Sequence, residues 1–192
     1  DLKTLTIREH RFPFLKKVND WNRFEKNTGG TLVEKCCHFF DLMRFIVKSE
    51  PISVYASGGQ DVNHLDEEYD GKKPDIIDNA YVIVNFENGS RSMLELCMFA
   101  ENSEMQEELT ATGNIGKIET SVPSNESRKT TSNVRIGMRD GKTKQESVSV
   151  DPKILEAGHH HGSTYYEHLA FINAVKNKLN KIIQDKSLSK ND

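Results

Sequence analysis

The stretch from Gly29 to Val47 constrains the fold more than any other part of the sequence. Its apolar residues recur at the period of a helix and not with the alternation of a strand. They form one stripe, made of Leu32, Cys36, Phe39, Met43 and Val47. Because further apolar residues flank the opposite side, the pattern predicts one helix that is buried on almost all sides.

An ionisable stripe runs along the other side of this predicted helix. Glu34, His38 and Asp41 are spaced i, i+4 and i+7, and residues three or four apart on a helix are neighbours. Buried charges must be paired or neutralised. Two interpretations of the spacing stay open: Glu34 and His38 form a structural pair at the edge of a core, or they are poised for proton transfer.

The same residues carry a resemblance to a known family. Gly-Gly-x-Leu-x-acid-x-x-x-His-x-x-Asp at the start of a helix resembles the signature of the Gfo/Idh/MocA family of NAD(P)-dependent sugar and inositol oxidoreductases. The resemblance implies that Glu34 and His38 are catalytic residues that point at the substrate hydroxyl. The family's acidic residue is more often Asp, so the carboxylate of Glu34 lies one methylene further from the backbone.

The resemblance covers nearly the whole chain and implies its architecture. It implies an α+β substrate-binding and oligomerisation domain over residues 1–179, similar to the C-terminal domain of glyceraldehyde-3-phosphate dehydrogenase. A predominantly antiparallel sheet would carry helices on one face. In the family a nucleotide-binding Rossmann domain comes first, and we expect it to be absent from this chain, whose first residues open a strand. Residues 180–192 are polar, and we expect them to fray.

The residue pattern itself changes to β after Pro51. Alternating segments are joined by turn residues, most clearly at Asn88-Gly89, which is a strong hairpin signal. Successive strands joined by tight turns predict an antiparallel sheet. The predicted strands are 52–59, 80–86, 91–98, 108–112, 117–120, 133–139 and 145–150, after a first strand near residues 2–11. A final helix is predicted over residues 164–179 from its apolar period.

A polar loop before the first helix is the candidate substrate-binding segment. Lys17, Asp20, Trp21 and Asn22 combine charge, amide and aromatic groups that can hold a sugar or polyol. The alternative is a surface loop anchored by Trp21. The resemblance adds His161, because residues 158–168 resemble a family loop near the mouth of the substrate site.

Several sites are not expected in this chain. Gly113 to Lys117 lacks the spacing of a phosphate-binding loop, and no Gly-x-Gly-x-x-Gly motif occurs. We therefore predict no cofactor site here, and NAD or NADP in the complete enzyme. The resemblance implies that a lysine of the missing domain shares the proton of the substrate hydroxyl with His38. The adjacent histidines 159–161 cannot all face one metal ion, so no metal site is expected.

Charge and cysteine content exclude other partners. Lys and Arg number 26 against 29 Asp and Glu, mixed along the chain, so nucleic acid is not an expected partner. No apolar run approaches the roughly 20 residues of a membrane-spanning helix. Three cysteines, two of them adjacent, do not form a disulfide framework. We expect reduced core cysteines and a cytoplasmic location.

Two functions compete at this point. In the first, the complete protein oxidises a hydroxyl of a sugar, inositol or related polyol, and this chain alone is inactive. In the alternative, the chain is a non-enzymatic module that dimerises or binds a sugar. In both, the sheet face without helices is predicted to form a homo-oligomer, because monomers rarely expose large apolar patches. The expected contributors are Tyr81, Ile83, Met93, Leu94 and Leu96.

Overall fold

The computed structural model of the chain describes residues 1–124, 132–156 and 162–188, with side chains up to residue 181 in the last range. Two compact units are present, Asp1–Val148 and Ser149–Asp192. Each unit is described by itself below. Among the described residues, no helix is long and apolar enough to span a membrane.

The first unit is built on an eight-stranded sheet in the order β2-β3-β4-β1-β5-β6-β7-β8. The strands are β1 (Leu2–His10), β2 (Pro51–Gly59), β3 (Asn79–Phe86), β4 (Arg91–Cys97), β5 (Met105–Gly113), β6 (Gly116–Pro123), β7 (Ser132–Met138) and β8 (Thr143–Val148). Among these strands, β1 and β4 pair in parallel, and the other neighbours are antiparallel. The predominantly antiparallel sheet predicted from the sequence is therefore confirmed.

Short helical segments follow β1. They are a 3₁₀ segment (Val18–Arg23), α1 (Glu25–Thr28), α2 (Thr31–Glu34) and α3 (Cys37–Val47). Gly29 ends α1 with a φ of 78°, and Gly30 precedes α2 with a φ of 86°. Both values lie in a region that residues with a side chain rarely adopt, so the glycine pair makes this turn possible.

The predicted single helix from Gly29 to Val47 is interrupted. α2 ends at Glu34, and α3 begins at Cys37. Lys35 and Cys36 lie between them with φ/ψ of −103°/−32° and −111°/0°. The expectation of one continuous helix is therefore wrong at these two residues.

Helix α3 packs on one face of the sheet. Of the predicted apolar stripe, Cys36, Phe39, Met43 and Val47 are buried in the same core cluster as residues of β1, β3 and β4, and Leu32 is half-buried against it. The opposite side of the helix is open, and Phe45 is 73% exposed. The expectation that the helix is buried on almost all sides is therefore wrong, because only the side that faces the sheet is fully buried.

The strands of the sheet alternate between two faces. In β4, Leu94 and Leu96 are 0% and 2% exposed and belong to the core. Their predicted place on the associating face is therefore wrong, since strand alternation turns them towards α3. Tyr81 and Ile83 of β3 are exposed, and Met93 of β4 is half-buried opposite Ile83.

The three cysteines are free thiols with different environments. Cys36 is buried, Cys97 is half-buried and Cys37 is exposed. The expectation that all are core residues holds for Cys36 and is wrong for Cys37, which lies on the open side of α3.

The second unit contains α4 (Pro152–Glu156) and α5 (Ser163–Leu188). Helix α5 begins one residue before its predicted start and runs beyond its predicted end at Leu179, into the segment that the sequence assigned to a frayed tail. Tyr165, Leu169 and Ile172 of this helix are exposed. The candidate His161 lies outside the described residues.

Candidate functional site

The Gly29-Gly30 turn and the start of α2 place the acidic candidate. Thr31, the first residue of α2, is buried, and its Oγ1 donates a hydrogen bond of 2.5 Å to the Ile77 carbonyl oxygen. This contact fastens α2 to the segment that leads into β3. Glu34 is the last residue of α2, so its position is set by a turn at one end and the helix interruption at the other.

The Glu34 carboxyl is partly withdrawn from solvent. Its side chain is half-buried, and its Oε2 is buried with no hydrogen-bond partner among the described residues. Burial raises the pKa of the Glu34 carboxyl, and the Lys17 ammonium opposes this rise. A carboxyl with a raised pKa and an unpaired oxygen can hold or release a proton nearer neutral pH than an ordinary glutamate can.

His38 follows on the open side of α3. It is the second residue of that helix and is exposed, with its ring centroid 4.0 Å from that of Phe39. Asp41 is exposed as well. The expectation that all three ionisable groups are buried is therefore wrong, because Glu34 is half-buried and His38 and Asp41 are exposed.

The candidate binding loop lies next to Glu34. Lys17 is exposed and interacts electrostatically with the Glu34 carboxyl, so the structure brings these two predicted residues together. Trp21 is exposed on one side of the loop, while its carbonyl oxygen accepts a hydrogen bond of 2.8 Å from Asn27 Nδ2. The loop thus presents a cation and an indole ring to the solvent.

Asn22 and Asp20 give the loop its shape. Asn22 is 0% exposed, and its Nδ2 donates to the Leu15 carbonyl oxygen at 3.0 Å. Asp20 has a φ of 52°, and its Oδ1 lies 3.5 Å from Lys16 Nζ. These contacts are internal to the loop. Of the four predicted loop residues, Lys17 and Trp21 are therefore the most available to a ligand.

A cluster that the sequence did not reveal holds the loop in place. Arg23 is buried, and its Nε donates a hydrogen bond of 2.7 Å to Glu67 Oε2. Tyr69 donates to the same oxygen at 2.7 Å, and His64 Nδ1 lies 2.9 Å from Glu67 Oε1. Burial alone would raise the pKa of Glu67, but these three hydrogen bonds together lower it to about 2.

This cluster joins two segments that are distant in the sequence. Arg23 also donates from NH1 to the Phe14 carbonyl oxygen at 3.2 Å, so it spans the whole candidate loop. Three cluster residues, His64, Glu67 and Tyr69, attach the connection from residue 61 to residue 74 to the candidate loop. No local pattern marks such a contact, because the partners lie on separate irregular segments.

A buried carboxylate lies beneath the helix interruption. Glu9 of β1 is 0% exposed and occupies the same strand face as Leu5 and Ile7. Its Oε1 lies 3.1 Å from Lys35 Nζ and 3.1 Å from Arg11 NH1. Burial raises the pKa of Glu9 to about 8, with the Arg11 guanidinium opposing and the Glu107 carboxylate adding to the rise. The alternation of Leu5, Ile7 and Glu9 along the strand was the sequence signal that could have identified Glu9 as a buried residue.

Nowhere in residues 1–124, 132–156 and 162–188 do three or more His, Cys, Asp or Glu side chains gather in a way that could hold a metal ion.

Comparisons with known proteins agree with this description. A family model described as "Oxidoreductase family, C-terminal alpha/beta domain" matches residues 1–185. None of the curated proteins matches the sequence significantly.

Solved structures share the fold at low sequence identity. Levoglucosan dehydrogenase in complex with NADH and levoglucosan aligns with a TM-score of 0.58 at 15% identity, over 77% of this chain and 40% of that protein. UDP-N-acetylglucosamine 3-dehydrogenase from Acidithiobacillus ferrooxidans aligns with a TM-score of 0.56 at 14% identity, over 92% and 46%. An aldose-aldose oxidoreductase from Caulobacter crescentus, complexed with glycerol, gives 0.56 at 14% identity, over 94% and 54%. The chain spans about half the length of these proteins.

Proposed function

The chain belongs to the Gfo/Idh/MocA oxidoreductase family as its C-terminal α/β domain, and we propose that it is the substrate-binding half of an NAD(P)-dependent dehydrogenase. Its substrate would be a hydroxyl of a sugar, inositol or related polyol. The observation that carries this proposal is Glu34, half-buried with a raised pKa and an unpaired Oε2, beside Lys17 of the polar loop. We propose that residues 1–179 act together as this half.

The cofactor would bind to the other half of the complete protein. The described residues contain no strand, glycine-rich turn and helix in direct succession, which is what a dinucleotide requires. They therefore do not fit NAD(P). Levoglucosan dehydrogenase has been solved with NADH bound, which supports a nucleotide cofactor in the complete protein. When bound there, NAD(P) would accept a hydride from the substrate carbon.

His38 and Glu34 would handle the hydroxyl proton. The exposed imidazole of His38 accepts that proton as the alcohol becomes a carbonyl, and by family resemblance a lysine of the nucleotide-binding half shares this task. The Glu34 carboxyl hydrogen-bonds the substrate hydroxyl or the imidazole and so orients them. Because its pKa is raised by burial, Glu34 can exchange a proton during turnover.

Sugar-like substrates suit the loop. Lys17 offers three N–H donors for hydroxyl oxygens, and the exposed ring of Trp21 offers an apolar face on which a sugar ring can stack. Levoglucosan and glycerol, present in two of the similar structures, are both polyhydroxylated, which supports this substrate class. We retain Asp20, Asn22 and His161 as proposed substrate-binding residues.

The open sheet face would carry the association between subunits. Tyr55 of β2 pairs with Ile83 of β3, and Ile83 pairs with Met93 of β4, so these side chains form a continuous row. Tyr55 and Tyr81 are exposed on this face. We propose that a second copy of the chain covers it. The alternative function, a non-enzymatic module that dimerises or binds a sugar, would use the same face without the chemistry.

The test is substitution of the two catalytic candidates in the complete enzyme. His38→Ala and Glu34→Gln should each lower turnover by roughly 10²- to 10⁴-fold while the melting temperature changes little. Glu50→Gln, which removes an exposed ion pair with Arg44, is the control and should leave both unchanged. If melting falls sharply while the folded fraction keeps its turnover number, the pair is structural and the proposal is wrong.

A further inference from the structure

The 3.1 Å contact between Glu9 Oε1 and Lys35 Nζ joins the centre of the sheet to the helix interruption. Glu9 contacts two cations, but they differ in what they connect. Arg11 belongs to the same chain segment as Glu9, and its backbone N–H and carbonyl are already bonded to Cys97 and Ala100. Lys35 is the contact that leads from β1 to the helical segment.

Lys35 and Cys36 are the two residues that separate α2 from α3. The last hydrogen bonds of the α2 turn run from Lys35 N–H to Thr31 and from Cys36 N–H to Leu32. The first bonds of α3 run from Phe39 and Phe40 to the Cys36 carbonyl oxygen. One uninterrupted helix therefore does not fix the angle between α2 and α3. The side-chain contacts of Lys35 and the burial of Cys36 must contribute to fixing it.

The two catalytic candidates lie on opposite sides of this junction. Glu34 precedes it as the last residue of α2, and His38 follows it as the second residue of α3. Any change in the angle between α2 and α3 therefore moves the Glu34 carboxyl relative to the His38 imidazole.

We propose that Glu9 is a positioning residue: its buried carboxyl group holds Lys35 against β1 through the 3.1 Å contact and thereby sets the arrangement of Glu34 and His38. The inference rests on the function proposed above and adds a residue that touches neither substrate nor cofactor. It explains why a carboxylate stands on a strand face that otherwise carries Leu5 and Ile7.

The energetics favour a role beyond packing. Glu9 is fully buried, and its Oε2 has no hydrogen-bond partner in the described part of the chain. Burial of a carboxylate is costly, and replacing a buried ion pair with apolar residues of similar size is often neutral or stabilising. A leucine would continue the strand pattern at lower cost, so packing alone does not account for the glutamate. The contact that attaches Lys35 of the junction to β1 does account for it.

The first test uses this chain and needs no activity. Hydrogen exchange of the Phe39 and Phe40 amides reports on the first turn of α3. Lys35→Met, which removes the charge and leaves an unbranched side chain that is one atom shorter, should speed their exchange at least tenfold. Exchange of the Leu94 amide in β4 should stay within twofold, which excludes global destabilisation as the cause.

Matched variants separate the junction from the rest of the cluster. Arg11→Met removes the other cation of Glu9 and should leave Phe39 and Phe40 exchange within twofold of the parent. Lys35→Arg keeps the charge and should restore slow exchange. Glu9→Gln, a milder change than Lys35→Met, should give the same direction of effect. Unchanged exchange in both Lys35→Met and Glu9→Gln would overturn the inference.

The second test uses the complete enzyme. Lys35→Met and Glu9→Gln should lower kcat about ten- to hundredfold with little change in KM, because a small misplacement of catalytic groups costs rate. Arg11→Met and Lys35→Arg should stay within about threefold. Faster exchange with an unchanged kcat in an active parent would overturn the positioning role. An inactive parent would instead count against the proposed function, while the exchange result would still decide whether Glu9 holds the junction.

Discussion

Arg23 Nε and Glu67 Oε2 lie 2.7 Å apart and connect the candidate binding loop to the segment before β3. Arg23 is only 3% exposed, so its guanidinium depends on this partner for compensation of its charge. Tyr69 and His64 bond to the same carboxylate. The loop that carries Lys17 and Trp21 is therefore held by one acceptor that serves three donors.

Glu67→Gln should destabilise the chain and weaken substrate binding. The amide accepts fewer hydrogen bonds than the carboxylate and leaves the buried Arg23 without a counter-charge, so we expect a loss of about 1 to 3 kcal/mol. Denaturant unfolding measures this loss, with Glu50→Gln as a control near zero. In the complete enzyme KM should rise more than kcat falls. A variant as stable as the parent would contradict the importance of the cluster.

The ionisation of Glu67 should make the free energy of unfolding depend on pH in the acid range. Hydrogen bonds from His64, Tyr69 and Arg23 hold the pKa of Glu67 at about 2, below its ordinary value of 4.5. The stabilisation is therefore complete above pH 4.5 and is lost as the pH falls from there through about 2. The difference in unfolding free energy between the parent and Glu67→Gln should shrink over this range. A constant difference would show that Glu67 titrates normally.

Ionisation of Glu9 should have the opposite effect and lower the free energy of unfolding. Its pKa is raised by burial from 4.5 to about 8, so the folded chain binds a proton that the unfolded chain has released between these values. Stability should therefore fall as the pH rises from 4.5 to about 8, by at most about 1.4 kcal/mol per pH unit. Glu9→Gln should lose this slope in urea unfolding curves taken at each pH. Parallel curves for parent and variant would contradict the raised pKa.

The adjacent cysteines should differ in reactivity. Burial, with the charges of Glu9 and Cys37, raises the pKa of the Cys36 thiol to about 12, whereas Cys37 is exposed. Because the thiolate is the reactive form, iodoacetamide at pH 8 should modify Cys37 at least about tenfold faster than Cys36. Peptide mass spectrometry separates the sites in Cys37→Ser and Cys36→Ser variants. Equal rates would show that the junction opens in solution.

A charge on the open sheet face should prevent association. Ile83 lies in the row with Tyr55 and Met93, and Ile83→Lys places an ammonium in it. We expect the mass from light scattering to fall to that of the monomer. Ile115→Lys, at an exposed turn between β5 and β6, is the control and should keep the parent's mass. A parent that is monomeric at high concentration would contradict the proposal itself.

Local patterns predicted the strands and the buried stripe of α3 because both depend on near neighbours. The Asn88-Gly89 turn and the alternation in β3 are examples, since turn chemistry and strand period are written in consecutive residues. The pairing of β1 with β4 and β5 was not predictable in this way. Strands that pair across long separations leave no turn signal between them.

The helix interruption escaped the sequence for a related reason. No glycine or proline stands between Thr31 and Val47, so helical propensity alone predicts continuity. The interruption coincides with a tertiary contact, Lys35 to Glu9, that joins residues far apart in the chain. Glu34 and His38 were predicted as site residues from their spacing and from the family resemblance, whereas the cluster around Glu67 is found only from its contacts with Arg23 and Tyr69.

The position of β1 has a consequence for how the sheet forms. On one side of it, β2 to β4 follow one another along the chain, and on the other side β5 to β8 do the same. Neighbouring strands within each run are consecutive in the chain, but β1 must find partners far along the chain on both sides. Closing those loops costs entropy before any pairing compensates for it, so incorporation of β1 should be the slow step of folding. Removal of residues 2–10 would separate the sheet into two runs of strands, β2 to β4 and β5 to β8. Each run would have a newly exposed edge strand, β4 or β5, that is prone to aggregation.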